Sequence, residues 1–75
     1  MVMAYVDEFL EQLIGNAPEG AIFQFTIRVS DDWVPEARGL TVYSSRDKIY
    51  AAEGTSQAVE ELRQNRHVIK IEASR

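Results

Sequence analysis

His67 is the only histidine and one of the few side chains here that could do acid–base chemistry. A nucleophilic triad would need a serine and a carboxylate converging on it. Ser44, Ser45 and Ser56 are available, but each falls in a segment that reads as a turn or a helix cap. His67 therefore fits a surface histidine at the start of a strand better than a general base, and no catalytic residue is assigned. Metal chemistry has as little to work with. The chain has no cysteine, and Asp7, Glu8 and Glu11 read as the solvated side of a helix rather than a ligand set. No glycine-rich phosphate loop is present, so no cofactor is expected. Trp33, the only tryptophan, is flanked by Asp31, Asp32 and Glu36. Exposed, it would anchor an interface; in so small a chain it fits the core better. The expectation is a non-enzymatic protein whose most informative segment is its ending, where a short helix runs into Val68-Ile69-Lys70-Ile71-Glu72-Ala73-Ser74-Arg75.

The elements that would position that ending follow from periodicity. Val2, Val6, Phe9, Leu10, Leu13 and Ile14 recur at helical spacing, which predicts an amphipathic helix over residues 2–14, with Gly15-Asn16 as its cap and Pro18 preventing continuation. Phe23, Phe25, Ile27 and Val29 alternate with Gln24, Thr26 and Arg28, predicting a strand over 21–29 with one apolar and one polar face. Residues 31–38 suit a short helix capped by Asp31 or Asp32, or an irregular loop, nearly equally. Strands follow over 40–44 and 48–53 around a Ser45-Arg46-Asp47 turn. In the second of these, either Ile49 and Ala51 or Tyr50 and Ala52 could face inward. Thr55 or Ser56 then caps a helix with the stripe Ala58, Val59 and Leu62, and residues 68–71 form the last strand.

Seventy-five residues make one domain. Such a domain buries only about 60% of the surface its unfolded chain exposes, and without disulfides its stability is marginal. A partner that completes the fold matters more at this size. The net charge is −4, spread unevenly: residues 1–36 hold seven acids and one base, residues 37–75 five acids and seven bases. The acidic balance argues against a nucleic-acid partner. No apolar run approaches the roughly 20 residues of a membrane span, so no membrane partner is expected. Asp7, Glu8 and Glu11 rule out a signal peptide at the N-terminus, which leaves the cytoplasm as the default location.

From residue 21 onward the order strand, short helix or loop, strand, strand, helix, strand is a split βαβ pattern. The fold class expected is α+β and ferredoxin-like: a four-stranded antiparallel sheet in the order fourth, first, third, second, with helices on one face. The N-terminal amphipathic helix and its linker, residues 1–20, would be an addition to a domain spanning 21–75. Phe23-Gln24-Phe25-Thr26-Ile27-Arg28-Val29, Gly39-Leu40-Thr41-Val42-Tyr43-Ser44-Ser45, Asp47-Lys48-Ile49-Tyr50-Ala51-Ala52 and the ending Val68 to Arg75 together resemble the propeptide domains of subtilisin-like serine proteases and the stand-alone inhibitors built on that fold. The ending is similar to the V-x-x-I-E-A-S-R found just before the catalytic domain in subtilase precursors. The N-terminal helix and Pro35 depart from the family pattern, and the Met start suggests a free-standing protein. The resemblance implies an inhibitor, a folding chaperone or both, with a subtilisin-like protease as partner. It implies that Glu72, Ala73, Ser74 and Arg75 enter the protease cleft, and that the sheet face of Gln24, Thr26 and Arg28 packs on the protease. The alternative is a ferredoxin-like protein–protein interaction module, unrelated to proteases and open to forming a homodimer.

Overall fold

A computed structural model describes residues 3–74. Its elements run β1 (Tyr5–Val6), α1 (Glu8–Asn16), β2 (Phe23–Val29), β3 (Leu40–Arg46), β4 (Ile49–Gly54), α2 (Ser56–Arg63) and β5 (Val68–Ala73). The strands form one sheet in the order β1-β5-β2-β4-β3. β2 pairs antiparallel with both β4 and β5, and β3 pairs antiparallel with β4. β1 instead lies parallel to β5, Tyr5 beside Lys70 and Val6 beside Ile71. The sheet is therefore five-stranded and mixed, which corrects the four-stranded antiparallel expectation. The α+β class and the order of the last four strands stand.

The N-terminal segment is the cause of that difference. It is not a helix from residue 2. Asp7, at φ −52° and ψ 132°, leaves helical space, and its carboxylate accepts from the Phe9 amide, so the helix starts at Glu8. Ahead of it Tyr5 points out and Val6 in, the period of a strand. The Asp7 amide donates to the Ile71 carbonyl at 2.8 Å, and the Ala4 amide to the Arg63 carbonyl at 2.9 Å. Val6 is apolar at both a helical and a strand period, so periodicity alone could not separate the two. Val2, the first residue of the expected helix, lies outside the described residues.

Residues 31–38 are an irregular loop. The Asp31 carboxylate accepts from the Trp33 amide at 3.0 Å, a local turn that competes with helix. Trp33 and Ala37 pack against the core, and Pro35 is buried. Gly39, at φ 81°, makes the left-handed step into β3. The β3–β4 turn falls on Asp47 and Lys48, both at positive φ, one residue later than expected. That turn and the pairing of Ile27 with Tyr50 and Phe25 with Ala52 direct Tyr50 and Ala52 inward, leaving Ile49 and Ala51 on the other face.

The core lies between the sheet and the helices. Phe25, Ile27, Val29, Ala52 and Ile71 from the sheet meet Leu10 from α1 and Val59 and Leu62 from α2, and all are buried. Phe23, expected in this cluster, is half-buried at its edge. Thr55 caps α2, its hydroxyl accepting from the Ala58 amide at 3.3 Å. Arg63 of α2 forms an ion pair with Glu11 of α1, which joins the two helices on one side of the sheet.

Candidate functional site

With both helices on one side, the described residues place no layer on the other side of the sheet. Register fixes what it presents. Near one end of the strands, Arg46, Ile49, Arg28, Lys70 and Tyr5 stand side by side, one from each strand from β3 to β1. The next row holds Ser44, Ala51, Thr26 and Glu72. Toward the other end come Thr41, Glu53 and Gln24. Gln24, Thr26 and Arg28 thus share this open face as the alternation requires; Gln24 and Arg28 are exposed and Thr26 is half-buried. A shallow depression of ≈ 330 Å³ lies at the β3–β4 end, with Thr26, Ser44, Arg46, Asp47, Ile49 and Ala51 in its lining.

Of the four residues assigned to a tail, three are tied into the fold. Glu72 and Ala73 belong to β5, opposite Thr26 and Phe25. Glu72 lies on the open face, with one carboxylate oxygen 3.3 Å from the Lys70 ammonium. The Ala73 amide donates to the Asp7 carboxylate at 3.3 Å, and the Ser74 amide to the Gln24 carbonyl at 3.1 Å. Arg75 lies outside the described residues. Asp7 is the position that periodicity misread. Its carboxylate caps α1 through one oxygen and holds the Ala73 amide through the other, so it is not a solvated helix side chain. A helix-start signal was legible there, Asp at the first residue of an acidic turn, but the bond to Ala73 spans the whole chain and no local pattern reports it.

His67 sits where loop 30–39 meets the turn after α2. Its Nδ1 is 2.9 Å from the Asp31 carboxylate, and its ring stacks on Trp33 with centroids 5.3 Å apart and planes 14° from parallel. The Trp33 amide beside Asp31, and then His67, hold the Asp31 carboxyl below its ordinary range. Ser30 donates its hydroxyl to the His67 carbonyl at 3.3 Å rather than to the ring, so the cluster fastens a loop and has the form of no triad. Trp33 is half-buried within it and is not an exposed anchor. On the helix side, a groove of ≈ 450 Å³ between α1 and α2 has Val6, Ile14 and Val59 in its lining and Glu11, Glu60 and Arg63 at its polar positions. The described residues hold no group of three or more potential metal ligands and no helix long and apolar enough to cross a membrane. Comparison with protein-family models, curated proteins and solved structures yields no match to this chain.

Proposed function

We propose that this chain is a propeptide-like partner of a subtilisin-type serine protease that inhibits the protease, assists its folding, or both. The observation that carries the reading is the division of the sheet into a helix-covered side and an open side, with Glu72 and Ala73 closing the last strand of that sheet and Ser74 following them. A sheet face carrying Gln24, Thr26, Arg28, Glu53 and Glu72 has hydrogen-bonding groups that a partner must match. An extended terminal segment can add main-chain hydrogen bonds to a cleft as an extra strand.

The bonds at Ala73 and Ser74 set a condition on that mechanism. Three residues span at most about 10 Å fully extended. Insertion of Ala73, Ser74 and Arg75 therefore requires the first two to leave the sheet, releasing two hydrogen bonds of about 0.5–1.5 kcal/mol each, which the cleft must replace. The same bonds favour a second reading, an interaction module whose ending is simply the edge of its fold. The two are separated by measuring hydrolysis of a peptide substrate by a purified subtilisin-type protease in the presence of the full chain, or of a chain ending at Glu72. The expected result is slowed hydrolysis with the full chain only, while the shortened chain still binds through the sheet face. Equal inhibition by both would discard the tail mechanism, and binding by neither would favour the module.

A further inference from the structure

The helix-covered side of the protein is concave between α1 and α2. The groove there, of ≈ 450 Å³, runs from the Glu11–Arg63 pair toward Gly15 on α1 and Ser56 and Gln57 on α2, over an apolar floor of Val6, Ile14 and Val59. Gly15 keeps one end of it open. Glycine is the poorest helix former after proline, and this position does not require it. Its φ is not left-handed, and a methyl group there would meet no atom within 4 Å. The chain thus forgoes helix stability in α1, only nine residues long, at a position where a longer side chain would enter the groove. Charge is unbalanced at the other end. Arg63 pairs with Glu11 and lies 3.6 Å from Glu60, so two carboxylates share one guanidinium. The Glu60 side chain is 53% exposed, and its second oxygen accepts only from the neutral Gln64 amide, at 3.2 Å. Over both helices, Glu8, Glu11, Glu60 and Glu61 stand against Arg63 alone.

We infer that this groove docks a basic amphipathic α-helix of a partner protein. The inference does not rest on the protease reading, because neither the open sheet face nor the ending takes part. α2 flanks the groove from Ser56 to Arg63, a rise of about 10 Å, which is also the rise from position i to i+7 of a docked helix. Apolar side chains at i and i+4 of the partner cover Val6, Ile14 and Val59 and fill the space beside Gly15. A lysine or arginine at i+7 then reaches Glu60 and Glu11, the helix-in-groove mode with one charged anchor. An extended segment suits the site less well. Both walls are helices with their backbone hydrogen bonds closed internally, so they offer no ladder to a strand. Nucleic acid and anionic lipid are disfavoured by the four glutamates. A second copy is disfavoured for the same reason, since it would bring helices of the same acidic charge into the groove.

The test titrates the full chain with a helical, alanine-based peptide of about 20 residues carrying Leu at i and i+4 and Lys at i+7, followed by amide shifts in NMR. Shifts should centre on Ile14, Gly15, Gln57 and Glu60, and binding should weaken as salt is raised. Glu60→Lys should lower the affinity about fivefold or more, while Glu53→Lys, the same change on the open sheet face, should not. Glu60→Gln keeps the side-chain length should the reversal disturb folding. Gly15→Leu, which puts a side chain into the groove, should remove binding, and Gly15→Ala should raise the urea midpoint of the free protein. Four results would each overturn the proposal: no shifts at about 1 mM peptide, shifts centred on the open sheet face, equal binding of a peptide with Glu for Lys or Ser for Leu, or undiminished binding by Gly15→Leu. A lower midpoint in Gly15→Ala would also overturn it, by giving the glycine a role in the fold. Self-association of the chain that Gly15→Leu abolishes would overturn it in favour of a second copy.

Discussion

Leu10→Ala tests whether the N-terminal segment belongs to the core or is an appendage. Leu10 is the one fully buried residue of α1 and contacts the cluster built from β2, β5 and α2. Removing its isobutyl group leaves a cavity among residues held by the sheet, a change that costs about 3–5 kcal/mol in a closed core. Stability of about 0.05–0.15 kcal/mol per residue gives this chain about 4–11 kcal/mol in all, so the variant sits close to unfolding. Each kcal/mol shifts the melting temperature by about 4–8 °C in this size class. The control is Leu13→Ala, the same chemical change one turn along the same helix, at a residue 41% exposed. Its cost should stay within about 1 kcal/mol, because little apolar area is lost and alanine favours helix slightly more than leucine. Urea titration followed by far-UV circular dichroism and by the fluorescence of Trp33 gives both values. Equal destabilisation by the two variants would refute the placement of α1 over the sheet. A Leu10→Ala protein that keeps its melting temperature would show α1 to be a separate arm.

Two further outcomes follow from local geometry. Lys48, at φ 67° in the second position of a two-residue hairpin turn, occupies a conformation that favours glycine; Lys48→Gly should raise unfolding free energy by about 1 kcal/mol, read as a higher urea midpoint with unchanged slope. Asp31 has its carboxyl lowered by the Trp33 amide and by His67, so its stabilising contribution is present above the ordinary carboxylate range and lost as pH falls through the lowered value. The melting temperatures of wild type and Asp31→Asn should therefore converge as pH is brought below about 4, and a gap that stays constant down to pH 2 would contradict the assignment.

The parts of this fold legible in the sequence are those governed by a short period. The alternation in Phe23–Val29 gives the central strand and the face that Gln24, Thr26 and Arg28 occupy. The Thr55 cap and the Ala58, Val59, Leu62 stripe give α2. What stayed illegible was decided by partners far away in the chain. Tyr5 and Val6 are a strand only because β5 offers an edge, and two residues are too few for a pattern to declare itself. The inward choice of Tyr50 over Ile49 depended on pairing with Ile27. The row Arg46, Arg28 and Lys70 joins residues scattered through the sequence, so their charges align only once the strand order is known.

Asp7 makes the two ends of the chain one thermodynamic unit. One carboxylate oxygen holds the Phe9 amide in the first turn of α1 and the other holds Ala73. A partner that draws the ending out of the sheet therefore strips one contact from the residue that caps α1, and it loosens β1 as well, since among the described residues β1 is paired only to β5. Linkage makes the effect reciprocal. Whatever firms α1 and its preceding strand holds Ala73 and Ser74 in place, and whatever captures them loosens the N-terminus. Capture of the ending would thus be reported at the opposite terminus, as faster amide exchange at Phe9 and Ala4, without any contact between the partner and that segment.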